Sequence, residues 1–258
     1  MHRTPIPHTF IPHTIVSALS MSKQLLVFCC AAFVSAQQPD GVGVKVYWGS
    51  GCFWGRQYEF VTQLEQGFFG RSDAQITAVG GYAGGRAGLG PDGLCCYHNA
   101  ANASDYAALG HAEVVQVELP ISSLDAAARA AAAVFFSSFV ELEPGVWGRE
   151  DLFDQGAGYR AVVGLPGGMR SPLMAALRAA NVHNMTFVPG AGTDADTFGL
   201  NKVWVVDSEV LPFNQAELCL QFHNNQTGVY PPAYHALSAV LEADGRLHNN
   251  SCPANYVC

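Results

Sequence analysis

Val44-Lys45-Val46-Tyr47-Trp48 runs straight into the break Gly49-Ser50-Gly51, and a different periodicity begins at Phe53. The β-branched and aromatic run predicts a strand and the glycines end it. Phe53, Trp54, Tyr58, Val61 and Leu64 then recur at near-helical spacing, which predicts a helix over Phe53–Leu64. Each element has an apolar face to bury, so a strand–turn–helix unit of this kind commits the chain to helices packed on a sheet. Cys52 stands at the turn.

Further elements follow in alternation. Gln75–Val79 is predicted as a second strand, closed by the Gly-rich turn Gly80–Gly85, and a polar Gly/Asp/Asn-rich excursion extends to Tyr106. His111–Leu119 alternates as a strand, and Ser122 or Ser123 is placed to cap an Ala-rich helix reaching about Phe139. Tyr159–Leu165 is another strand, Pro172–Ala180 a helix with Pro172 in its first turn, Val203–Val206 a strand and Phe213–Phe222 a helix. The first six elements read β-α-β-β-α-β, the ferredoxin-like order. The expected fold is α+β, a ferredoxin-like core with helices on a mainly antiparallel sheet. Residues 42–223 form the expected catalytic domain, and 224–258 an irregular tail with one possible helix at Ala233–Leu241.

Thirteen Lys+Arg against 21 Asp+Glu give a net charge of -8, without the basic footprint that nucleic acid demands. No apolar run approaches the roughly 20 residues of a membrane span. Residues 21–36 carry one positive charge, an apolar core from Leu25 to Val34 and small residues at Ser35 and Ala36, the order of a signal peptide. Its start at Met21 leaves 1–20 as an expected non-translated or disordered leader. A short buried helix is the alternative reading of the apolar core. N-x-Ser/Thr acceptors at Asn102, Asn184, Asn225 and Asn249 fit secretion. So does the even count of six cysteines left when Cys29 and Cys30 depart with the leader.

A cysteine where a helix begins faces unpaired backbone N–H groups and the positive end of the dipole, which favour thiolate over thiol. A pKa lowered to about 6 makes it about 90% thiolate at pH 7. By pattern alone such a residue is as often a buried structural cysteine or half of a disulfide. On the strand 111–119, Glu113 shares a face with Val115, Val117 and Leu119, so its carboxyl is expected to be partly buried, with a raised pKa. The bland alternative is an exposed glutamate at a strand end.

Four separated motifs occur together: Gly51-Cys52-Phe53-Trp54-Gly55, Gly81-Tyr82-Ala83-Gly84-Gly85, Gly110-His111-Ala112-Glu113-Val114-Val115 and Asp154-x-Gly156-x-x-Tyr159-Arg160. In that order they resemble the A-type peptide methionine sulfoxide reductases, over roughly residues 44–165. A weaker echo follows in Ala216-Glu217-Leu218-Cys219. The resemblance implies that Cys52 attacks the sulfoxide sulfur and is left as a sulfenic acid. It makes Glu113 the acid for the departing oxygen and gives Tyr106, Asp154 and Tyr159 supporting roles. Phe53 and Trp54 become the slot for the substrate methyl. Tyr106 sits at a shorter interval from Glu113 than the family spacing, and Tyr97 competes with it. Ser50 replaces a common glycine, Phe139–Pro144 lacks a His-Asp-Pro stretch, and the excursion carries the adjacent pair Cys95-Cys96.

Regeneration implies a second thiol and an external dithiol such as thioredoxin, with no bound cofactor. Cys252 and Cys258 are the leading resolving candidates and Cys219 the third, while permanent structural bridges among these cysteines weigh about equally. No C-x2-C pair supports zinc, and His98, His111, His223 and His235 are scattered. The expected substrate is methionine S-sulfoxide, free or in proteins, acted on by a secreted monomer. Competing readings are a redox-sensing or binding glycoprotein with Cys52 locked in a bridge, and a general thiol–disulfide oxidoreductase, for which Cys52 lacks a C-x-x-C partner.

Overall fold

The computed structural model describes residues 43–98, 104–253 and 258. The expected leader, the signal peptide at 21–36 and the acceptor Asn102 lie outside the described residues.

β1 (Val44–Gly49) leads through the predicted turn into α1 (Phe53–Glu59), which continues in wider π-type turns over Phe60–Phe68. β2 (Val79–Ala83) and β3 (Ala112–Leu119) follow, then α2 (Leu124–Ser137), the hairpin of β4 (Phe139–Glu143) and β5 (Val146–Arg149), and β6 (Val162–Leu165). After these come α3 (Met174–Ala180), β7 (Thr186–Pro189), β8 (Lys202–Asp207), β9 (Asn214–Gln215) and α4 (Pro232–Ala243). Seven strands form one sheet in the order β7-β8-β6-β1-β3-β2-β9. Only β6–β8 and β7–β8 run parallel, so the chain has the expected α+β character with a mostly antiparallel sheet.

Strand alternation decides what each sheet face buries. Val46, Trp48, Val115, Val117 and Val163 face the main core, where Trp48 lies 5.9 Å from the Phe60 ring and 5.5 Å from that of Phe135 on α2. Tyr47, Val114, Val162 and Val206 face a smaller cluster on the other side. β1 thus lies between two apolar layers, and its register, with Trp48 opposite Val115, is fixed by both. On α2, small alanines at 127, 128, 131 and 132 let the helix approach closely, and Phe135 and Phe136 fill the space beyond. Ser123 takes the cap position of α2, although its side chain makes no cap bond.

Several elements differ from the sequence reading. The second strand is Val79–Ala83, not 75–79, so the glycines read as a turn lie within it. A Cβ on Gly81 would stand 2.2 Å from the Asn214 carbonyl, so the missing side chain is what lets β9 pair there. Tyr159 precedes β6 in a 3-10 turn, and the β4–β5 hairpin and β7 carried no sequence signal that distinguished them from loop.

The helix expected over Phe213–Phe222 is absent. β9 and 3-10 turns take its place, with Gln221 extended and Phe222 left-handed at φ 51°. Buried side-chain amides explain the change. Gln221 Nε2 donates to the Gly80 and Ala216 carbonyls, its Oε1 accepts from Gly80 N–H and from Gln57, and Gln57 Oε1 accepts from Phe222 N–H. These bonds stitch the segment to α1 and β2 in place of a helical ladder.

The tail beyond Asn224 contains α4 at the expected place, and Tyr234, Leu237, Leu241 and Leu247 belong to the main core. Cys96–Cys252 and Cys219–Cys258 are disulfides, tying the chain end to the body at two points. Among the described residues, no helix is long and apolar enough to cross a membrane.

Glu65 is wholly buried in the π-type segment, where it accepts from Thr77 and Ala78 N–H and from Arg71 Nη1 at 2.9 Å. Removing one partner of such a pair strands a charge, whereas the exposed Arg129–Asp125 pair loses little. Arg71→Ala should therefore lower stability by about 3 kcal/mol and Arg129→Ala by about 0.5 kcal/mol or less. Urea unfolding with disulfides intact measures both, and equal effects would contradict the assignment.

Candidate active site

Gly51, at φ +74°, makes the turn between β1 and α1 in a conformation that disfavours any side chain, and its N–H is held by the Tyr159 carbonyl at 3.0 Å. The next residue, Cys52, takes the N-cap position of α1 in extended conformation, without a side-chain cap bond of its own. Capping comes instead from across the fold. Phe53 N–H donates to Glu113 Oε2 at 2.8 Å, and Cys52 N–H to Asp151 Oδ2 at 3.3 Å. β3 therefore supplies the carboxyl that closes the start of α1.

Glu113 is 1% exposed, at the end of the apolar row on β3, as the alternation predicted. Burial raises its pKa, the Phe53 N–H partly offsets this, and the nearby Asp154 charge adds to it, giving a value of about 8. The group thus carries a proton at neutral pH. The Cys52 thiol lies close enough to this carboxyl and to that of Asp154 to feel the charge of both.

The thiolate expected at Cys52 is not the resting state. Part of the residue meets solvent, but its sulfur lies deep, and burial pushes the thiol pKa well above its ordinary value. The Glu113 carboxyl reinforces that rise, and the Trp54 N–H at the start of α1 opposes it without prevailing. The helix terminus acts as the sequence suggested. Desolvation and a neighbouring acid outweigh it.

Asp154 and Asp151 flank the sulfur on one short loop. Asp151 is buried in part, but N–H groups of Asp154 and Phe153 more than offset this and hold its carboxyl below the usual range. Asp154 moves the other way, to about 6, through burial and the Asp151 charge. Arg149 fixes the loop by donating Nε and Nη2 to the Asp154 carbonyl at 2.9 and 2.6 Å while pairing with Asp196.

Tyr106 is fully buried, with its hydroxyl 3.4 Å from Glu113 Oε1 and its ring stacked on Tyr82 at 4.6 Å. Tyr97 stacks on the Tyr106 ring at 5.9 Å, and Tyr159 lies close enough to influence both phenols. The two tyrosines that compete in sequence therefore enter the same cluster, and burial holds all three phenols in their neutral form by raising their pKa values. Tyr82 donates to Glu217 Oε2 at 2.8 Å, and Glu217 Oε1 accepts from Tyr97 N–H. Phe53 is 1% exposed and packs edge-on to Tyr82, so it backs the site from inside. Trp54 is half-buried, anchored by Nε1–H to the Leu220 carbonyl at 3.1 Å and by an edge contact with His223.

Cys52 and Cys95 are the free cysteines among the described residues. The expected resolving residues are all bridged: Cys252 to Cys96, and Cys219 to Cys258. Cys96, Cys252 and Glu217 bring their ligand atoms within 4.8 Å of one another, but the two sulfurs are bonded together and both Glu217 oxygens already accept hydrogen bonds. Of the acceptor asparagines, Asn184 and Asn249 are exposed and Asn225 is half-buried. Asp151, Tyr82, Gln221, Glu217 and His98 join the site without having been singled out for it. Tyr82 and Glu217 belong to the Gly81–Gly85 and Ala216–Cys219 motifs, whereas His98 and Asp151 depend on loop conformations that local pattern does not encode.

No protein-family model and no curated protein matches the chain. Among solved structures, methionine sulfoxide reductase A of Corynebacterium diphtheriae matches 76% of this chain and 79% of its own, with 15% identity and a TM-score of 0.43. A likeness that distant leaves the chemistry to be argued from the site.

Alkylation of Cys52, followed by peptide mapping to separate it from Cys95, should show a pH midpoint above 9 in the unmodified protein. Glu113→Gln should move that midpoint downward, because a charge repelling the thiolate is gone. A midpoint near the thiolate-type value of about 6 would overturn this account of the sulfur.

Proposed function

We propose that the protein reduces methionine S-sulfoxide, free or in polypeptides, to methionine with Cys52 as nucleophile. The observation that carries this reading is the buried Glu113 carboxyl, which accepts from the first N–H of α1 beside the Cys52 thiol and has its pKa raised by burial. A sulfoxide is a poor electrophile until its oxygen is protonated, and a neutral carboxylic acid beside a thiol meets that need. The four motifs of the methionine sulfoxide reductase resemblance converge on the same residues, and the central strand order β6-β1-β3-β2 suits the ferredoxin-like reading.

Glu113 gives its proton to the sulfoxide oxygen and becomes a carboxylate. That carboxylate takes the proton of the neighbouring Cys52 thiol, so the thiolate arises only when substrate is present. The Cys52 sulfur takes the hydroxyl from the sulfonium, leaving methionine and a Cys52 sulfenic acid. Two electrons pass from Cys52 to the substrate sulfur, and no net proton is consumed. Hydroxyls of Tyr106 and Tyr159 stabilise charge on the oxygen as it builds. The half-buried Trp54, backed by Phe53, offers an aromatic face to the substrate methyl, a contact worth about 0.3–1.5 kcal/mol for sulfur-bearing groups.

Regeneration belongs to the Cys219–Cys258 bridge. A thioredoxin-like dithiol opens it, and the freed Cys219, next to the Leu220 carbonyl that holds Trp54, attacks the sulfenic acid with loss of water to give a Cys52–Cys219 disulfide, from which the Cys258 thiol takes back Cys219 and releases Cys52 as a thiol. The same proposal includes secretion through residues 21–36, glycosylation at the exposed Asn184 and Asn249, and a monomeric state. Cys52 stands free of any bridge, which counts against a sensor locked by a disulfide.

With dithiothreitol as reductant, the protein should convert one sulfur epimer of methionine sulfoxide, and Cys52→Ser should abolish turnover. Glu113→Gln keeps an acceptor for Phe53 N–H but lacks the proton, so kcat should fall by about 10²–10⁴. The proton is present below the raised pKa and lost above it, so the rate should decline as pH rises through about 8. Turnover retained in Cys52→Ser would end the proposal, and a rate still climbing beyond pH 9 would remove Glu113 from its role.

A further inference from the structure

The reaction at Cys52 leaves unused an apolar pair that stands next to it, Leu152-Phe153 on the loop that follows β5. Phe153 is 97% exposed, whereas among the described residues the next large apolar side chain, Val182, is 73% exposed. Leu152 faces solvent as well. A scattered surface leucine needs no explanation, but a phenyl ring given almost wholly to water forgoes the burial that aromatic side chains ordinarily gain.

The backbone that carries this ring is held in place. Asp151 Oδ1 accepts from Phe153 N–H at 3.0 Å and from Asp154 N–H at 3.2 Å, while its Oδ2 accepts from Cys52 N–H. Gln155 Nε2 donates to the Leu152 carbonyl at 2.9 Å, Arg149 Nε to the Asp154 carbonyl, and Gly156 N–H to Asp196 Oδ2 at 2.7 Å. One carboxylate thus ties the loop to the nucleophile's own residue, and two residues of backbone put the Phe153 Cα within about 7 Å of that of Asp151. A ring presented from an ordered backbone can be covered by a ligand with little further ordering cost.

We propose that Phe153, with Leu152 beside it, is a specificity-determining residue that takes an apolar side chain of a polypeptide substrate, so that the site prefers methionine sulfoxide flanked by apolar residues over the free amino acid. In an extended polypeptide the side chains two positions to either side of the sulfoxide point the same way as it does, about 7 Å from it. With the sulfoxide at Cys52, the step from one such side chain to the next matches the step from Asp151 to Phe153. Phe153 touches the flanking residue and not the reacting atoms, so it acts on binding. The role rests on the sulfoxide-reductase reading and names the substrate class for it.

Initial rates with dithiothreitol on three substrates test this: free methionine sulfoxide, an end-blocked pentapeptide with methionine sulfoxide at its centre, glycine on each side of it and leucine at both outer positions, and the same peptide with serine at the outer positions. For the unmodified chain, kcat/KM should be about tenfold higher for the leucine peptide than for the serine peptide. Phe153→Ser should raise KM for the leucine peptide about tenfold with kcat little changed, and leave the other two substrates within about twofold. Phe68→Ser removes an exposed phenyl at the far end of the helical run that begins beside Cys52, and should leave all three within about twofold. Thermal unfolding of Phe153→Ser should match that of the unmodified chain, since the ring is buried against no neighbour. Equal kcat/KM for the two peptides in the unmodified chain, or a Phe153→Ser change that falls on all three substrates alike, would overturn the role of Phe153 while leaving the reductase reading intact. So would a Phe153→Ser effect confined to the KM of thioredoxin in a parallel series with that reductant. If the unmodified chain turns over none of the three substrates, the reductase reading fails and takes the role with it.

Discussion

One hydrogen bond organises this molecule's chemistry: the Phe53 N–H at the start of α1 donates to the buried Glu113 carboxyl on β3. A helix start buried against a sheet leaves backbone donors that need partners. The usual partner is a serine, threonine or aspartate at the cap, and here the cap position holds Cys52, which makes no side-chain cap bond. β3 fills the gap with a glutamate that is itself removed from water. The same contact therefore fixes α1 on the sheet and places a proton-bearing acid against a thiol.

That arrangement sets the character of the sulfur. A cysteine activated in advance would be open to oxidation and alkylation whether or not substrate is present. Burial and the Glu113 carboxyl keep Cys52 as a thiol despite the favourable helix end. In the proposed reaction, coupling deprotonation of the thiol to protonation of a substrate oxygen would make the site selective for groups that can take the proton. The Tyr82–Tyr106 stack and the Arg149 clamp on the Asp154 backbone pack around the two groups.

What the sequence discloses, and what it withholds, divides by range. β1, α1, β3, α2, α3, β8 and α4 follow from local periodicity, because each presents one apolar face to a nearby core. Burial of Glu113 follows in the same way from alternation along β3. The 213–222 segment misleads, because its apolar spacing suits a helix while Gln57 and Gln221, far apart in the chain, supply bonds that hold it otherwise. The disulfide partners are not legible either, since bonding of Cys96 to Cys252 spans 156 residues. The pKa of Cys52 fails for a related reason: a helix start is visible in sequence, but the depth of the sulfur and the nearness of Glu113 belong to the tertiary structure.

The central claim is that Glu113 holds its proton at neutral pH, and infrared difference spectroscopy across a pH titration reads this directly, with Glu113→Gln to identify the signal. The account predicts a carboxylic acid C=O stretch from Glu113 that persists through pH 7 and disappears near pH 8. A Glu113 already ionised at pH 7, with a midpoint near the ordinary glutamate value of about 4.3, would contradict it.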